Sequence, residues 1–197
     1  MSEPKELKND QPIIAFADSA AWERWLAANQ SSATGVWLKI AKKGSETTTV
    51  SYAEAVDVAL CYGWIDGQSG AYDDSFWLQR YTARTPRSKW SQINRDKVAA
   101  LVEAGRMQPP GLAAVEAARA DGRWAAAYEP PSKATVPADL QTALDANLTA
   151  AAVWAELDGA NRYAVLYRVQ DAKRPETRAR RIEKFVGMLS RGEKIHR

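Results

Sequence analysis

The chain has little of the chemistry most familiar enzymes use. Its 197 residues include a single cysteine, Cys61, and a single histidine, His196. One thiol excludes an intrachain disulfide and agrees with a reducing compartment, so the sequence points to the cytoplasm. The histidine stands beside the terminal Arg197, where chains usually fray, which argues against a Ser-His-Asp or Cys-His catalytic unit. A zinc site needing several His or Cys ligands is excluded by the same shortage, and no EF-hand spacing for calcium is present. Neither GxGxxG nor GxxxxGK[ST] occurs, so the common dinucleotide and nucleotide cradles are missing. No metal and no cofactor is expected. No apolar run approaches the ~18–20 residues that cross a bilayer, and "MSEPKELKNDQPI" lacks the basic-then-apolar order of a secretory signal. Membrane insertion is not expected either.

What remains is ordinary in amount and uneven in arrangement. With 46% hydrophobic and 26% charged residues, the chain can build one substantial core with a helical appendage. A net charge of +3 gives too weak a field to argue for nucleic acid by itself. The charge is clustered, however. "RYTARTPRSKWSQINR" carries Arg80, Arg84, Arg87, Lys89 and Arg95 without an acid, and "KRPETRARRIEK" forms a second basic stretch.

Periodicity sketches the elements. Asp18 or Ser19 caps a helix through "AAWERWLAANQ", with Trp22, Trp25 and Leu26 on one face. "GVWLKIAKK" alternates as a strand with one buried face. "SYAE" has the spacing of a capping box for a helix that stops at Gly63, with Cys61 in its last turn. "WIDGQS" and "SFWLQRYT" then read as a hairpin around "GAYDD", which puts Asp66 and Arg80 on neighbouring strands. From Trp90 to Gly105 the spacing turns helical, with Ser88 as the expected cap, and it stays helical to the end. "YEPPSKATVPADL", with Pro130, Pro131 and Pro137, is the clearest linker. The expected architecture is therefore α+β. A small antiparallel sheet with helices occupies residues 1–130, and a helical carboxyl segment, residues 131–197, packs on it.

Several residues invite a functional role, and each has a structural alternative. Cys61 lies at the end of an apolar helix without a base and reads as a buried small residue. Asp66 can act as a general acid or base, or it can satisfy the amides of a turn or pair with an arginine. Arg84 and Arg87, the hydroxyls of Thr82, Ser88 and Ser91, Asn94 and the amides of a starting helix together favour an anion. Eight tryptophans are many for a chain of this size, and Trp64, Trp77 and Trp90 flank that region as possible walls. The candidate ligand-binding set is Tyr62, Trp64, Asp66, Arg80, Thr82, Arg84, Arg87, Ser88, Trp90, Ser91 and Asn94.

These motifs carry a resemblance. "CYGWIDG", "R.TPR...KWSQIN" with "EAGRMQPPGL", and "AKRPETRARRIEKFVGML" resemble the YdeI/OmpD-associated, or bacteriocin-protection, family over about Phe16 to Lys194. The resemblance implies a small cytoplasmic bacterial α+β protein with a helical carboxyl segment, linked by name to bacteriocin protection and an outer-membrane porin. It implies no reaction, no cofactor and no role for individual residues.

Three readings follow from the residues. The leading one is a non-enzymatic binding or stress-protection protein whose concave surface, lined by Trp64, Asp66, Arg80, Arg84, Ser88, Trp90 and Asn94, accepts a small anionic or polar ligand, or that binds a protein partner. The second is an enzyme acting on a small anionic substrate, with Asp66 as acid/base and Arg84 stabilising negative charge. The third, nucleic-acid binding through both basic clusters, is weakened because Glu176 and Glu183 alternate with the carboxyl arginines and offer them helix ion pairs.

Overall fold

Local signals fix most of the element boundaries. The structure, a computed structural model, describes residues 6–196. Asp18 caps α1 (Ser19–Asn29) by accepting the amide of Ala21 at 2.7 Å. Ser51 and Glu54 complete both halves of a capping box on α2 (Tyr52–Cys61). That helix is left through Gly63, whose φ of 72° is a left-handed conformation that side chains disfavour.

The chain divides into two compact units, Met1–Ala127 and Tyr128–Arg197. In the first, β1 (Leu7–Lys8), β2 (Gln11–Ala15), β3 (Val36–Ala41), β4 (Trp64–Ala71) and β5 (Phe76–Ala83) form one sheet in the order β1-β2-β3-β5-β4. The α+β expectation holds. All pairs are antiparallel except β2 with β3, so the sheet is mixed. The two amino-terminal strands were not foreseen. They are two and five residues long and one contains Pro12; β2 is held by β3 and β1 by β2, rather than by any alternation of their own.

Alternation sorts the sheet's two faces. Val36, Leu38, Tyr81 and Trp64 join the core with α1 and α2, where Trp22 is the hub. Its ring meets those of Phe16, Trp25, Trp64 and Tyr81 at 5.2–6.4 Å, and its indole N–H donates to the carbonyl of Ala55. On the opposite face, Trp37 donates to the carbonyl of Lys8, and Arg80 donates through Nε to Gln11 Oε1 at 2.8 Å. The β4–β5 ladder shifts register between Asp66 and Ser69, and buried Gln79 donates there to the carbonyls of Gly67 and Gln68.

Two helices complete the unit, α3 (Gln92–Glu103) and α4 (Pro109–Ala120). Their placement depends on two glycines. A Cβ at Gly111 would lie 2.1 Å from the Cys61 carbonyl oxygen, and one at Gly63 would lie 2.8 Å from the carbonyl oxygen of Pro110. The Cys61 carbonyl also accepts the amide of Gln108, which locks the start of α4 onto the end of α2.

After the non-helical segment 128–137, the second unit carries four helices: α5 (Ala138–Asp145), α6 (Leu148–Glu156), α7 (Gly159–Gln170) and α8 (Pro175–Ser190). Leu140, Leu144, Val165, Val169, Ile182, Phe185 and Leu189 form its core. The basic stretch before and within α8 turns out to be partly structural. Arg178 forks onto both oxygens of Asp139 and donates to the carbonyl of Val169, while Arg181 donates to the carbonyl of Arg168 and pairs with Asp171. Both cations therefore sit at the carboxyl end of α7, where the helix dipole favours positive charge.

Candidate anion-binding site

The arginine-rich segment between β5 and α3 is built from short-range hydrogen bonds. The amide of Arg84 donates to the carbonyl of Gly63, which ties the end of β5 to the corner after α2. The Ser88 hydroxyl accepts the amide of Thr85 at 2.9 Å, and the Thr85 hydroxyl accepts the amide of Arg87. Ser88 is thus spent on closing this turn, and the helix cap passes to Ser91, which accepts the amide of Asn94 at 3.1 Å. Expecting Ser88 to cap was therefore wrong by one helical turn. Either serine satisfies a simple cap signature, and only the Thr85 turn separates them.

The turn is anchored by a stack of cations and indoles. The Arg84 guanidinium lies 3.5 Å from the ring centroid of buried Trp90 and donates through Nη1 to the carbonyl of Lys89. Trp90 meets Trp124 edge-on at 4.8 Å, and Arg95 and Arg119 each lie 5.3 Å from the Trp124 ring. Arg123 donates to the carbonyl of Ser88 at 3.0 Å while binding both oxygens of Asp121. Glu116 pairs with Arg119. Arg84, Arg95 and Arg119 thus gather around two indoles, with Arg123 on the adjoining turn, and Arg87 and Lys89 belong to the same segment of chain.

The sequence-derived candidates divide into separate places. Arg84, Arg87, Ser88, Trp90, Ser91 and Asn94 stay together along this segment. Trp64 belongs to the aromatic core, and half-buried Tyr62 packs against it, its hydroxyl raised above the ordinary phenol range by burial. Arg80 and Thr82 share the far face of the sheet, because Asp66 stands opposite Tyr81 and alternation turns residues 80 and 82 away from it. Asp66 instead accepts the Tyr52 hydroxyl at 2.7 Å. It also lies three register positions from Gly63, the partner of Arg84, roughly 10 Å along the strands. One concave surface joining Asp66, Arg80 and Arg84 is not what the fold builds.

Sequence reading missed Arg119, Arg123 and Trp124. They follow or close α4, more than thirty residues after Arg84, and only the packing of α4 on α2 brings them to the site. The string "RADGRW" gave a weak signal, two arginines and a tryptophan around a helix-ending Asp-Gly. Tyr52 was also missed as the partner of Asp66.

Cys61 is buried, and burial raises its thiol from the ordinary 9.0 to about 11. That is the opposite of an activated nucleophile. Tyr81 is pushed well above the phenol range, first by burial and then by the charge of Asp66, and its buried hydroxyl has no hydrogen-bond partner. Among the described residues no cluster of three or more His, Cys, Asp or Glu side chains could hold a metal. None of their helices is long and apolar enough to cross a membrane.

Residues 14–114, just over half of the chain, match the family described as Domain of unknown function (DUF8412). The chain belongs to that family. Its match takes in α1 to the start of α4, and with them "CYGWIDG", the Arg84 turn and "EAGRMQPPGL". Residues 133–192 match the family described as Bacteriocin-protection, YdeI or OmpD-Associated. The resemblance to that family therefore holds for the carboxyl part, including "AKRPETRARRIEKFVGML", and its match does not extend to the amino-terminal motifs. No curated protein and no solved structure matches the chain.

Proposed function

We propose that the protein is a non-enzymatic binding protein whose amino-terminal unit takes small anionic ligands at the arginine–tryptophan surface. The observation that carries this reading is the stack of Arg84 on Trp90 at 3.5 Å, continued through Trp124 to Arg95 and Arg119. Stacking holds planar guanidinium groups in place before a ligand arrives, so less side-chain entropy is lost on binding. Phosphate and carboxylate are the groups that such forks recognise. The enzyme reading loses its geometry, because Asp66 and Arg84 are separated along the sheet. A protective role against a bacteriocin or another stress fits a binder of this kind, acting in the cytoplasm, where free and buried Cys61 stays reduced.

Thermal unfolding in phosphate or sulfate, with ionic strength matched by chloride, tests the proposal. Ligand at a hundred times its dissociation constant adds roughly 2.7 kcal/mol of stability. Exposed Arg87 and half-buried Arg95 are the positions to remove, since Arg84 is also part of the packing over Trp90. The Arg87→Ala/Arg95→Ala protein should lose most of the stabilisation. Equal stabilisation of both proteins would refute the site.

A further inference from the structure

The carboxyl-terminal unit contains a cavity of about 520 Å³ that owes nothing to the anion site. Small-molecule pockets run from about 300 to 1,000 Å³, so the volume suits a compact organic ligand. Pro131, Tyr163, Ala164 and Tyr167 supply apolar lining, and Arg168 and His196 supply the polar edge.

The aromatic part of the wall is fixed. Tyr163 and Tyr167 have ring centroids 6.0 Å apart, and Tyr128 meets Tyr167 edge-on at 5.1 Å. The Tyr163 hydroxyl donates to the carbonyl of Glu129 at 2.8 Å, which holds the ring against the segment that enters the unit. Burial raises that hydroxyl above the ordinary phenol range, so it stays neutral.

The charged part is fixed as well, and it has one sign. Arg168 donates through Nη1 to the carbonyl of Ala164 at 2.9 Å, one turn back, so its guanidinium rests at the rim. His196 does not fray as its position in the sequence suggests. Its amide donates to Asn161 Oδ1 at 2.8 Å, and buried Asn161 returns a bond to its carbonyl, so His196 closes one side of the cavity. Among the described residues, no acidic one lines the cavity.

We infer that this cavity binds a small aromatic carboxylate, with its ring system against Tyr163 and Tyr167 and its carboxylate on Arg168. Offset or edge-on ring contacts and a charge-assisted hydrogen bond are the interactions the wall can provide. The site is independent of the arginine–tryptophan surface, and either can fail without the other.

2-Naphthoate is the probe, titrated calorimetrically into the full chain, with neutral 2-naphthylmethanol as its comparison. Arg168 is exposed and its backbone contacts are kept by alanine, so Arg168→Ala should fold normally. It should weaken 2-naphthoate about fivefold, as loss of a partly solvated ion pair does, and leave 2-naphthylmethanol unchanged. Ala160→Phe, an exposed lining position, should weaken both compounds by filling the space. Saturable binding that responds in this pattern supports the proposal. No saturable binding, or binding that neither substitution changes, overturns it, as does equal affinity for the neutral compound in the unaltered protein.

Discussion

Gly111 lies against the backbone carbonyl of Cys61 so closely that a Cβ at that position would be 2.1 Å from the oxygen. No side-chain rotation relieves such a contact, because the group in the way is backbone. Gly111→Ala should therefore force α4 off α2 and destabilise the protein by about 3 kcal/mol or more, at the upper end of overpacking costs. Gly122 is the control: its φ is 80°, but a Cβ there meets nothing within 4 Å. Gly122→Ala should cost only about 1 kcal/mol of backbone strain. Urea melts of the two variants compare them, and equal midpoints would show that the α2–α4 contact is not tight.

That contact also explains why "CYGWIDG" and "EAGRMQPPGL" read as motifs without declaring a chemistry. They touch one another. A sequence displays a glycine that ends a helix, since Gly63 punctuates an apolar period, but it does not display which backbone a second glycine must approach. For the same reason, the caps of α1 and α2, the helices and the hairpin were legible, whereas the cap of α3 and the strands β1 and β2 were not. The site was half legible. Arg84, Arg87 and Trp90 announced themselves by composition, but Trp124 and Arg119 belong to it only through α4's tertiary placement. Asp66 and Arg80 do lie on neighbouring strands, but Asp66 stands opposite Tyr81, and one register position turns the Arg80 side chain to the other face.

The carboxyl-terminal core gives a second test. Phe185 is buried between helices and Arg180, on the same helix, is exposed. Phe185→Ala should cost roughly 3–5 kcal/mol and Arg180→Ala close to nothing. Urea unfolding of the two variants that gave equal losses would contradict the facing of α8.

Acid should weaken this unit through Asp139. The hydrogen bonds from Arg178 hold its carboxyl below the usual carboxylate range. A lowered native pKa contributes stability above the unfolded value, near ~3.9, and that contribution is lost as pH falls through the native value. The advantage of the unaltered protein over Asp139→Asn should thus shrink as pH is lowered from neutral toward about 3. Because the pair is partly exposed, the effect should also shrink in high salt. A difference in melting temperature that is constant with pH would show that the pair does not form.

The Cys61 thiol should be inert. Burial raises it to about 11, so the reactive thiolate is scarce in the native protein at about pH 8. Ellman's reagent should react only as fast as the protein unfolds, and reaction should become immediate in denaturant. Prompt reaction of the native protein would mean that the α2 corner is open.

The anion site is tested most directly by the indole N–H resonances of the eight tryptophans, followed by NMR as sulfate is added at constant ionic strength. Trp90 and Trp124 lie within the cation stack, while Trp37 is on the far face of the sheet with its N–H on the carbonyl of Lys8. The Trp90 and Trp124 signals should shift along a saturating curve, Trp37 should stay still, and Arg87→Ala/Arg95→Ala should flatten the curve. Uniform, non-saturating drift of all the indole signals, the same in both proteins, would contradict that site.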